Sequence, residues 1–193
     1  MRGVSSLHDH ALNNIRYIRE AMERASAFTS IPGWGGVAIG ITAVIAAIIA
    51  HSRPPDEWLM IWLCDAAVAA TIGGVTMVWK ARRAGVSFGS KAARRFFVSY
   101  FAPLFTAAVL TLVLWRAGAI DALPAVWLMM YGTSFISSGA FSIRVVPVMG
   151  LCFMILGLAA SFVSFPAANI LLGLGFGGLH ILFGSIIARS YGG

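Results

Sequence analysis

Six apolar runs, each close to the length that crosses a lipid bilayer, leave this chain few ways to fold. They cover residues 34–51, 58–79, 96–115, 125–142, 147–165 and 170–188, with short connections between them. A helix needs about 20 apolar residues to cross a hydrocarbon core of roughly 30 Å. Backbone N–H and C=O groups in lipid must bond within the protein, which restricts spanning structures to helices and closed barrels. The runs lack the period-two alternation of a barrel strand. With 59% hydrophobic and 11% charged residues, the chain is also too apolar for a soluble domain. The expected fold is all-α: six transmembrane helices over residues 31–193, preceded by an amphipathic cytoplasmic helix within residues 1–30.

Charge placement orients these helices. Arg2, Arg16, Arg19 and Arg24 precede the first run; Lys80, Arg82, Arg83, Lys91, Arg94 and Arg95 follow the second. Arg144 follows the fourth and Arg189 ends the sixth, which leaves only Arg53 and Arg116 of the 14 Lys and Arg residues on the other side. Cytoplasmic loops retain Lys and Arg, so both termini are expected in the cytoplasm of a bacterial inner membrane. The net charge of +7 is accounted for by this topology and by attraction to anionic headgroups, so direct nucleic-acid binding is not expected. Trp34, Trp58, Trp79, Trp115 and Trp127 fall at predicted span ends, where an aromatic belt lies. The first run begins only after a long charged segment, so it is expected to remain as a signal anchor. Cys64 and Cys152 both fall inside apolar runs and read as small hydrophobes rather than a disulfide pair.

Residues 6–28 carry a helical pattern ahead of the membrane. Leu7, Ala11, Ile15, Ile18, Met22 and Ala25 recur at three- and four-residue steps and share one face. Arg16 and Arg19 lie on the polar side, where Glu20 and Glu23 nearly balance the positive charge. Ile15, Ile18 and Met22, with those arginines, are therefore candidates for docking either on the headgroup layer or on a cytoplasmic protein partner or second copy.

Polar groups inside the apolar runs are the candidate chemistry. Asp65 lies seven residues into the second run, roughly 10 Å below the outer edge at 1.5 Å per residue. An ionisable side chain at that depth is costly unless paired or hydrated, and it marks a candidate site. Tyr131, Ser134, Ser138 and Ser142 form a stripe on the fourth run, with Tyr131 near the depth of Asp65. His180 falls near the midplane of the sixth run. Asp65, Tyr131 and His180 are expected either to line a polar cavity or to hydrogen-bond within a packed bundle. His8 and His10 lie before the membrane and His51 at its outer surface, so no two intramembrane histidines pair for haem. Neither a metal-ligand spacing nor a nucleophile motif occurs, and no cofactor is expected. Gly173 and Gly177 have the small-xxx-small spacing of close helix packing, expected here to act within the chain.

The segments Ile15-Arg16-Tyr17-Ile18-Arg19-Glu20, Phe28-Thr29 and Pro32-Gly33-Trp34-Gly35-Gly36 resemble those of a family of uncharacterised bacterial inner-membrane proteins. The resemblance extends to Val146-Pro147-Val148-Met149-Gly150 and to the stretch from Ile187 to Gly193. It implies association with small winged-helix regulators and supplies no catalytic residue. The function expected from sequence is a non-enzymatic accessory or sensory subunit that docks a cytoplasmic or membrane partner. The alternative is a small transporter or channel that uses Asp65 and His180 for a proton, a cation or a small solute.

Overall fold

A computed structural model describes residues 14, 15 and 28–191. Six helices follow Phe28: α1 Gly33–Ala50, α2 Pro55–Arg83, α3 Lys91–Arg116, α4 Leu123–Gly139, α5 Val145–Ala160 and α6 Phe165–Tyr191. A short 3-10 turn, Ile120–Ala122, leads into α4. Four of these helices, α1, α2, α3 and α6, are long and apolar enough to cross a membrane. The expected amphipathic helix over residues 6–28 falls almost wholly outside the described residues, as do Arg16, Ile18, Arg19 and Met22. Ile15 is described and is exposed.

Helix α4 stops at Gly139, short of the expected end at 142, because the chain there turns away to meet Phe28. The Phe28 N–H donates to the Phe141 carbonyl at 2.7 Å, and the Ser142 hydroxyl donates to the Phe28 carbonyl at 2.8 Å. Phe28 itself is buried against the rings of Phe96 and Phe97 at the start of α3, at centroid distances of 4.9 and 5.3 Å. The expected outer turn at Pro166–Asn169 is instead the first turn of α6. Pro166 occupies the opening positions of that helix, where its missing N–H costs no hydrogen bond.

Two helix pairs are held at backbone contact. In α4 and α5, a Cβ added to Gly132 would lie 2.6 Å from the Gly150 carbonyl oxygen, and one on Gly150 would lie 2.7 Å from that of Gly132. Gly139 admits Pro147 and Gly157 admits Met129 along the same seam. In α1 and α6, a Cβ on Gly40 would lie 2.7 Å from the Gly177 carbonyl oxygen, and one on Gly184 would lie 2.8 Å from that of Gly33. Gly173 meets Ala47 and Gly177 meets Val44, so both sequence-predicted packing glycines serve contacts inside the chain. Gly175 turns to the other side and receives Leu128 of α4. Over Gly173–Leu179 the helix widens into a π-helical segment, in the stretch richest in residues without a Cβ.

The remaining two helices are attached differently. α2 leans on α1, where Gly35 makes room for Thr76, and α3 leans on α4. α2 and α3 follow each other in the chain but do not pack together along their lengths. Only Trp58, Leu59, Trp62 and Ala81 of α2 and only Ala93 and Phe96 of α3 are buried, all near helix ends. Pro103 inside α3 cannot donate to the Ser99 carbonyl, and the Ser137 hydroxyl of α4 donates there instead at 2.8 Å.

The glycine seams predict a contrast between substitutions of equal size. Gly132→Ala places a methyl against backbone and should destabilise by about 1–3 kcal/mol through overpacking. Gly74→Ala meets open space and should be neutral or slightly stabilising. Thermal unfolding of the two variants in the same detergent checks this; equal midpoints would refute the backbone-contact account.

Candidate functional site

The separation of α2 from α3 opens a cavity of about 450 Å³ within the apolar zone. α1, α4 and α6 form its back wall through Ile39, Tyr131 and Phe176, and α2 and α3 form its sides. Asp65 is on the α2 side and is half-buried. Its carboxyl group meets the hydroxyl of Thr42 on α1. Among the lining residues it is the single charged side chain; Thr111, Tyr100 and Tyr131 supply hydroxyls and Trp62 and Trp127 supply indoles.

The cavity wall is built from interlocked rings. Phe176 touches Trp62 at a centroid distance of 6.1 Å and Tyr131 at 4.9 Å. Trp127 donates its indole N–H to the Thr111 hydroxyl at 2.8 Å, which ties α4 to α3. Tyr100 and Tyr131 meet edge to face with centroids 6.4 Å apart. These contacts hold the back wall while the α2 and α3 side remains open.

The structure brings Tyr131 and His180 together. The Tyr131 hydroxyl and His180 Nε2 are 2.9 Å apart. His180 itself does not line the cavity; it is buried behind Tyr131 and Phe176, against Phe153. Its Nδ1 is buried and makes no hydrogen bond among the described residues. The imidazole tautomer sets which partner of the Tyr131–His180 hydrogen bond donates. Asp65 shares the cavity with Tyr131 and not with His180. Ser134 and Ser138 lie apart from it, each fully buried and donating to its own helix, at the Met130 and Ser134 carbonyls. Gly173 and Gly177 belong to the helix seam described above.

One polar residue of consequence escaped the sequence reading. Asn169 is buried at the end of the bundle opposite Phe28, and its Oδ1 accepts the indole N–H groups of both Trp58 (2.9 Å) and Trp62 (3.0 Å). Its Nδ2 donates to the Ala47 carbonyl at 3.0 Å, so one amide joins α1, α2 and α6. Trp58 stacks on Trp127 at 5.4 Å and is 1% exposed, so it is a core residue rather than part of an aromatic belt. Trp34, Trp79 and Trp115 are exposed at helix ends. The available signal was the i, i+4 pair of tryptophans at the start of a span, which needs a buried acceptor nearby.

At the other end, Lys80 donates to the Ile31 and Tyr191 carbonyls at 3.0 and 3.1 Å, closing α2 onto the start of α1 and the end of α6. Arg83 covers the Trp79 ring at 3.8 Å and Arg95 approaches that of Phe141 at 5.9 Å. Among the described residues no group of three or more His, Cys, Asp and Glu side chains is placed to hold a metal ion. No protein-family model, no curated protein and no solved structure matches the chain.

Removing the Asn169 amide should be costly, because two buried indole N–H groups lose their acceptor together. Asn169→Ala is expected to lower stability by about 2 kcal/mol or more. A thermal midpoint equal to that of the parent protein would show that the clamp contributes nothing.

Proposed function

We propose that this chain is a six-span membrane protein of the small-transporter class, which receives a small molecule from the bilayer between α2 and α3. The observation that carries the reading is the cavity of about 450 Å³ opening between two helices that do not pack together. Its volume falls within the roughly 300–1,000 Å³ of small-molecule sites, and its lining is apolar with a few convergent polar groups, as such sites require. In this reading α4 and α5 also cross the membrane. At 17 and 16 residues they are short, and local thinning of the bilayer accommodates them. The side that carries Lys80, Arg95 and Arg144 faces the cytoplasm of a bacterial inner membrane, with both termini there.

Access from the lipid is testable with the tryptophans that the cavity exposes. Trp34, Trp79 and Trp115 are first replaced by Phe, which leaves emission from Trp58, Trp62 and Trp127. Brominated phosphatidylcholine in nanodiscs should quench that emission strongly. Filling the cavity with Ala66→Phe and Ala108→Phe together should reduce the quenching. Emission indifferent to brominated chains in the unfilled protein would end this reading.

The docking role expected from sequence keeps one supporting observation. Phe28 is fixed by two hydrogen bonds and by the α3 rings, and its ring also meets Phe88 in the 84–90 connection. On this second reading, Ile15, Ile18 and Met22 contact a cytoplasmic partner. Truncation of residues 1–27, which spares Phe28, should abolish recovery of a stoichiometric partner in a mild-detergent pull-down. Equal recovery from both chains would exclude the segment as the docking element.

A further inference from the structure

We propose that the ligand of the cavity is a lipophilic organic cation, held by the Asp65 carboxylate among aromatic faces. The proposal rests on the reading of the cavity as a ligand site entered from the bilayer, and it names the class of molecule. Asp65 lines the cavity, and no Lys, Arg or His shares the lining with it. A carboxylate at this depth is stabilised by a positive charge brought to it, whereas a neutral ligand leaves it unpaired and an anion repels it. Trp62, Trp127, Tyr100, Tyr131 and Phe176 present rings in the same cavity. Ring faces attract cations, and Trp and Tyr do so best once water is excluded.

The same lining argues against an inorganic ion. Magnesium and calcium take about six to eight oxygen ligands, and this cavity offers one carboxylate and a few scattered hydroxyls. A proton alone would need no such volume. The rest of the wall is alanine, leucine, isoleucine, methionine, glycine and phenylalanine surface, suited to the apolar body of an amphiphile. Charge near Asp65 and hydrocarbon elsewhere therefore describe one molecule rather than two.

The test uses the full chain in phosphatidylcholine nanodiscs and equilibrium dialysis, with empty nanodiscs subtracting partition into lipid. Methyltriphenylphosphonium is the cationic probe and triphenylphosphine oxide is a neutral probe of similar size. Saturable binding that favours the cation, weakened about tenfold or more in Asp65→Asn and recovered in Asp65→Glu, is the expected result. The neutral probe should bind both variants alike. Equal affinity of the parent protein for both probes, or cation binding unchanged in Asp65→Asn, overturns the cation assignment and leaves the cavity reading standing. Absence of saturable binding for either probe, with brominated lipid also failing to quench, overturns the cavity reading and this inference with it. Should Asp65→Asn fail to fold, the preference of the parent protein between the two probes still decides the matter.

Discussion

The structure depends on helix backbones that touch where side chains are missing. Lipid tails are as apolar as leucine, so burial of apolar surface does little to join helices inside a membrane. What remains is close packing, and glycine permits the closest approach. Gly132 and Gly150 leave no room for a Cβ against each other's carbonyl across one seam, and Gly40 leaves none against the Gly177 carbonyl across another. Gly175 then receives Leu128, which fits α6 onto α4. Four helices become a wall whose separation has little room to change.

That wall is what allows a cavity to persist. α2 and α3 have no seam of their own and are anchored mainly near their ends. At one end Asn169 accepts from Trp58 and Trp62, and at the other Lys80 binds the Ile31 and Tyr191 carbonyls. On the α3 side, Trp127 bonds Thr111 and Ser137 satisfies the carbonyl that Pro103 leaves bare. The Asn169, Trp127 and Ser137 contacts join helices at points where an indole N–H or a bare backbone carbonyl would otherwise lack a partner. Between the anchors the middle of α2 is uncovered, and Asp65 lies in that stretch.

Much of this was legible in the sequence, for reasons tied to particular residues. The apolar runs located all six helices, Asp65 stood out as an ionisable group inside one of them, and Tyr131 stood out as part of a polar stripe at similar depth. Both residues line one cavity in the structure. His180 was grouped with Asp65 and Tyr131 as candidate cavity lining but stands behind the wall, in contact with the Tyr131 hydroxyl. Of the serine stripe, Ser134 and Ser138 bond their own helix, and periodicity cannot separate such back-bonding from an interhelical contact such as that of Ser142 with Phe28. Trp58 and Trp127 at span ends resembled belt residues because position along the chain is blind to which face is covered.

The sequence by itself determined the helical class, the approximate helix positions and the asymmetry of charge between the two ends, because these follow from hydrocarbon thickness and from local side-chain chemistry. Only the tertiary structure decided which helices pair, which tryptophans are buried and where the bundle stays open. Those outcomes rest on glycines far apart in the chain, such as Gly40 with Gly177, whose meaning appears only when two backbones come into contact.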